Sequence, residues 1–265
     1  MTRADRRRAE ASATRTRSSD TTAVLPRLRA AKAPGTPPKL ADRARKALLA
    51  YAKSAADNGL PLDEIITRLT DGRAAMTVYQ VETDEARQHG ADPQTGAACK
   101  SGCAFCCILG GTDGGTITAT EAARLYTALL PLSGQPDGRS WHPKACAALD
   151  PETRTCRAYD ARPSICRSFH STDVSACEAN ADGAAVEGPR LEGAHATYLA
   201  AHGLARAALA KVGDVPTFSM SAITAAAIDG LDADATWRVA QHGSDALDAE
   251  RKRTGKAWQT ARRMR

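Results

Sequence analysis

Eight cysteines fall within residues 99–177, and none occurs among the other positions of the 265-residue chain. That clustering is the strongest constraint on the fold. The first group is Cys99-x3-Cys103-x2-Cys106-Cys107, and the second is Cys146-x9-Cys156-x9-Cys166-x10-Cys177. Free cysteine often serves as a small buried hydrophobe, but packing alone does not account for eight within one stretch. Two groups of four is the stoichiometry of two four-thiolate sites, or of one cluster plus a metal. The expected site is therefore a metal centre with Cys99, Cys103, Cys106, Cys107, Cys146, Cys156, Cys166 and Cys177 as ligands. Adjacent Cys106 and Cys107 are awkward for one tetrahedral ion, so iron or an iron–sulfur cluster is favoured, with zinc the close alternative. His142 and His170, near Cys146 and Cys166 in sequence, are substitute ligands. The other four histidines are expected on helix surfaces.

Disulfides are the weakest use of these sulfurs. The N-terminus has no apolar core of a secretory signal, no stretch approaches the length of a bilayer span, and cytosolic thiols stay reduced. A cytoplasmic protein with no membrane contact is the expectation.

Charge is uneven. Residues 1–46 carry 13 Lys and Arg against 4 Asp and Glu, a net +9; the remainder carries 23 against 26, a net −3. Residues 1–37 mix Arg, Ser, Thr and Pro with little apolar pattern and are expected to be a disordered basic arm. Residues 38–265 are expected to form one mainly helical domain, with a cysteine core at 95–180 and a C-terminal helical region at 190–265. Apolar content is 43% but aromatics are only 4%, so much of the apolar weight is alanine, which favours helix. Apolar periodicity places helices from Leu40, from Pro61 to Leu69, and over 74–89, 119–130, 194–212, 220–228, 233–241 and 244–263. Thr118-x-x-Glu121 reads as a capping box. At most one or two short hairpins fit, the best placed at Ala147–Arg157. The fold class expected is thus mainly α, a small domain centred on a cysteine-ligated metal or cluster, with C-terminal helices.

The pattern C-x3-C-x2-CC at 99–107, the Thr118-x-x-Glu121-Ala-x-Arg124-Leu125 helix start, Cys146-x-x-Leu149-Asp150, and Cys156-Arg-Ala-Tyr159-Asp-Ala-Arg162-Pro163-x-x-Cys166-Arg167-x-Phe169 together resemble the YkgJ-like cysteine-cluster family. The resemblance covers roughly residues 95–180. It implies a zinc- or iron-chelating domain. Some larger members resemble flagellin lysine N-methylases, which implies an enzymatic alternative.

Between the thiols, Arg157, Arg162 and Arg167 can offset thiolate charge, and Tyr159 and Phe169 can wall the site from water. Cys99-x3-Cys103-x-Phe105-Cys106 also has the spacing of the radical S-adenosylmethionine signature, although no strand–helix series follows it. Three functions stay open: a metal-binding protein, an enzyme using that centre by radical or lysine-methylation chemistry, and a nucleic-acid-binding adaptor with structural zinc. The last draws on the basic N-terminal arm and the Arg251–Arg265 run as contacts for an anionic partner. No serine-hydrolase elbow, H-E-x-x-H or dinucleotide turn is present. The turn at 110–115 lacks the Lys-Ser/Thr of a nucleotide loop.

Overall fold

The computed structural model describes residues 24–90, 95–109, 113–184, 186, 190–191 and 193–263. Its first four helices are α1 (Val24–Ala30), α2 (Pro38–Asp57), α3 (Leu62–Thr70) and α4 (Arg73–Gln88). They surround α9 (Gly193–Leu209), which is buried along nearly its whole circumference. Alanine makes this possible: Ala194, Ala196, Ala200, Ala201, Ala205 and Ala208 let neighbouring helices approach from every side. A helix that is apolar all round belongs in a core. Gly203 lies against α12 (Ala246–Arg263); a Cβ there would sit 2.7 Å from Nε of the buried Arg251.

The second apolar cluster joins chain segments far apart in sequence. α5 (Ala119–Leu129) supplies Ala122, Leu125 and Leu129, while α10 (Met220–Ile228) supplies Met220, Ile223, Ala227 and Ile228. They are tied by β1 (Thr116–Thr118), which runs antiparallel to β4 (Thr217–Ser219) with Thr116 opposite Ser219. β2 (Phe169–His170) pairs with β3 (Arg190–Leu191). Shorter helices α6 (Gly138–Trp141), α7 (Ser164–Arg167) and α8 (Val174–Ala181) fill the cysteine region, and α11 (Ala233–Ala240) follows α10.

The protein is mainly α-helical, and the helices read from periodicity are present. Two features of the expected fold class are corrected. The centre is a pair of apolar clusters and not a cysteine-ligated metal: among the described residues, no group of three or more His, Cys, Asp or Glu side chains is placed to hold a metal ion. The strands are not hairpins either, since β1 and β4 come from distant segments and α8 lies between β2 and β3. At Ala147–Arg157 there is one isolated antiparallel bridge, Leu149 to Cys156, closed by a turn in which Asp150 accepts from the Thr153 amide at 2.7 Å.

Within the segment expected to be a disordered arm, α1 packs on the first cluster with Val24 and Leu28 fully buried. Ala31 and Ala33 of the same segment are buried there too, and residues 1–23 lie outside the described residues. Among the described residues no helix is long and apolar enough to cross a membrane.

Candidate functional site: a cavity walled by eight thiols

All eight cysteines line one cavity of about 1080 Å³, and none is in a disulfide. Several backbone ties bring the two groups together. The Cys146 amide donates to the Cys107 carbonyl at 2.8 Å, Ile108 bridges to Ala145, and the Leu109 amide donates to the Lys144 carbonyl. The Ala98 amide donates to the Ser171 carbonyl at 2.8 Å, which draws the start of the first group to the end of β2. Cys106 and Cys107 sit on a single 3-10 turn, Phe105–Cys107. Pro163 precedes α7, which carries Cys166, and α8 carries Cys177.

Glu121 holds α7 in place. As expected of a capping box, its Oε2 accepts the Thr118 amide at 3.1 Å. The same buried carboxylate also accepts the Ser164 amide at 2.7 Å and the Tyr198 hydroxyl from α9. Burial, and then Glu121 itself, hold the Tyr198 phenol well above its usual range, so it stays a donor. One carboxylate thus joins α5, the cysteine-bearing α7 and the central helix.

The thiols differ in character. Cys106 is exposed. Hydrogen bonding from the Cys107 thiol lowers it to about 7, and the Arg162 and His170 charges act in the same direction. Cys107 is driven well above the thiol range by that same contact and by burial. Burial pushes Cys146 up to about 11 and raises Cys156, Cys166 and Cys177.

These observations correct the expected metal chemistry. The thiols share a wall, yet among the described residues no three donors are placed to hold one ion. Their near partners lie elsewhere: Cys146 Sγ faces Thr224 Oγ1 at 3.8 Å, Cys166 Sγ faces Met220 Sδ at 3.2 Å, and Cys99 Sγ faces the Ser171 carbonyl at 4.0 Å. Iron, an iron–sulfur cluster and zinc therefore do not fit this donor set, and the metal partner falls with them. So do the radical and lysine-methylation readings that needed such a centre, and the adaptor built on structural zinc. His142 Nδ1 accepts from the Lys144 amide, whereas His170 lines the cavity.

Other expectations are partly changed. Arg162, Arg167 and Phe169 line the cavity, but Arg157 is turned to the Ala147 carbonyl. Tyr159 does not exclude water; it is 59% exposed, with the Arg162 guanidinium 3.7 Å from its ring centre. His195 and His202, expected on a helix surface, are fully buried. Of the C-terminal basic run, Arg251 is buried and paired with Asp248, and Arg253 is paired with Glu250 at 2.7 Å. Sequence reasoning missed Met220 and Thr224, which reach the wall from α10, and Arg154, which lies over the Trp141 ring.

The geometry coincides with a known segment. A family model described as "CxxCxxCC: Putative zinc- or iron-chelating domain" matches residues 98–185. Over that segment the chain matches the YkgJ-like cysteine-cluster family. The match spans both cysteine groups and ends before α9 and β4, so Met220 and Thr224 come from outside the family segment. The chelation in the family's description is not met by the placement of donors here. No curated protein and no solved structure matches this chain.

Proposed function

We propose that the cavity is a thiol-exchange site, in which Cys106 attacks a disulfide and a second wall thiol resolves the adduct. The observation that carries this reading is that eight unpaired cysteines open onto one cavity. Cys106 is the exposed member of the vicinal pair, and its lowered pKa leaves a substantial fraction as thiolate, the nucleophilic form, at neutral pH.

The step balances in two exchanges. Cys106 thiolate bonds to one sulfur of R–S–S–R′; the S–S bond breaks, and R′S⁻ leaves and takes a proton from solvent. A neighbouring thiol then loses its proton, attacks Cys106 Sγ and expels RS⁻, which leaves as RSH. The protein gains an internal disulfide and the substrate disulfide is reduced to two thiols.

Cys107 is a poor resolving group. Adjacent Cα atoms are about 3.8 Å apart, below the usual ~4.4–6.8 Å of a disulfide. Its role is to donate to the Cys106 sulfur. Resolution is assigned to Cys156, which lines the same wall; burial first, and the Cys106 charge as a lesser cause, raise its thiol. Unpaired thiols in this number suit a reducing compartment, so the cytoplasm is the proposed location.

Timed alkylation with iodoacetamide and peptide mass spectrometry tests the proposal. Cys106 should label fastest, with a rate rising to half its maximum near pH ~7, and mild disulfide treatment should yield a Cys106–Cys156 bond that C106S lacks. Prior dialysis against a chelator should leave the labelling unchanged. The proposal fails if Cys106 is inert, or if chelation uncovers thiols that were blocked before.

A further inference from the structure

Six cationic side chains line the thiol cavity: Arg87, Lys100, Arg154, Arg162, Arg167 and Arg253. Two acids, Asp113 and Glu250, line it as well. Glu250 is paired with Arg253, and Asp113 lies 3.3 Å from His242 Nε2. Arg87 lies 3.6 Å from Asp84. The remaining four cations have no carboxylate partner among the described residues. Arg167 donates to the carbonyls of Arg162 and Asp160, and Arg162 donates to that of Tyr159. Arg154 lies over the Trp141 ring. Lys100 is exposed on the Cys99–Cys103 loop.

Backbone carbonyls orient a guanidinium without neutralising it. The cavity therefore carries an uncompensated positive field around its thiols, and a concave wall focuses such a field on a small anion. Guanidinium groups also match carboxylate geometry through paired N–H donors. At about 1080 Å³ the cavity is at the upper end of small-ligand sites, with room for a short peptide disulfide.

On the thiol-exchange reading above, we infer that the substrate is an anionic, carboxylate-bearing disulfide of low molecular weight. The cations hold its carboxylates while the S–S bond lies over Cys106. A neutral disulfide lacks this attraction and reacts at the rate of an ordinary exposed thiolate, and a cationic one is repelled and reacts more slowly.

Three matched aliphatic disulfides test this: 3,3′-dithiodipropionate (dianionic), 2-hydroxyethyl disulfide (neutral) and cystamine (dicationic). The rate of adduct formation on the Cys106 peptide is read by mass spectrometry and normalised to each reagent's rate with a free small thiol. The expected order is dianion, neutral, dication, with about a tenfold lead for the dianion over the neutral reagent at low salt. That lead should collapse near ~0.5 M salt, where exposed charges are screened. K100Q and R154Q should each slow the dianion about threefold and leave the neutral reagent unchanged. The wild-type salt series stands even if a variant folds poorly. Equal normalised rates for all three reagents would overturn the charge selection and leave thiol exchange standing. Failure of all three to modify Cys106 would overturn both.

Discussion

His195 shows how far a residue's setting departs from its chemistry. It is fully buried, stacked on Tyr198 with centroids 5.5 Å apart, and among the described residues neither ring nitrogen has a hydrogen-bond partner. Burial, reinforced by the Arg253 charge, lowers it to about 3. An unfolded histidine titrates near ~6.5. Between these values the unfolded chain binds a proton that the folded chain does not, so stability falls as pH drops below ~6.5 and the loss is complete near the folded value. H195F keeps the shape and removes the proton site. It should be within about 1 kcal/mol of wild type at pH 7, or more stable, because no hydrogen bond is lost. Its melting temperature should gain on wild type as pH falls from 7 to 5; a gap independent of pH would refute this. The burial itself was not legible in the sequence. Ala194 and Ala196 flank His195 and Ala201 precedes His202, and alanine looks alike on a buried face and an exposed one. The thiols were the opposite case. Their number and order pointed to a metal centre with all eight as ligands; the eight do line one cavity, but Cys99, Cys146 and Cys166 face Ser171, Thr224 and Met220, which no local spacing reveals.

At the scale of elements, periodicity and caps were readable because they are local. The helix placed at 220–228 and the capping box at Thr118–Glu121 are both present. Helix α1 was missed because it is short, contains Pro26 and shows only Val24 and Leu28 as an apolar face. The strands were missed because three residues are too few to display alternation, and their pairing joins distant segments. The joint between α4 and β1 is testable. Gly72 precedes α4 with φ +92°, and a Cβ there would lie 2.3 Å from Thr118 Cβ. G72A thus combines a left-handed backbone with a clash against the residue that caps α5. A loss of about 1–3 kcal/mol is expected, read as a lower denaturation midpoint. An unchanged midpoint would mean that the α4–β1 joint yields freely.

For the whole molecule, the family segment is not self-sufficient. Its apolar face, with Ile117, Leu125 and Leu129 fully or nearly fully buried, is covered by Phe218, Met220, Ile223 and Ile228 from beyond residue 185. A fragment of residues 95–185 loses that cover and one of the two strands of the β1–β4 pair. It should show no cooperative thermal transition by circular dichroism, whereas the full chain should. A fragment that melts cooperatively would place the core within the segment alone.

The pairing of Thr116 with Ser219 also sets an order of events. Contacts between distant parts of a chain form late, because a long loop must close before they return any free energy. During synthesis, every cysteine leaves the ribosome before β4 and α10 exist to roof the cavity. The newborn chain therefore passes through an interval in which eight thiols are present and Thr224 and Met220 are not. Wrongly bridged forms trapped in that interval could not seat β4 against β1, so an oxidising refolding mixture should lose yield that a reductant restores.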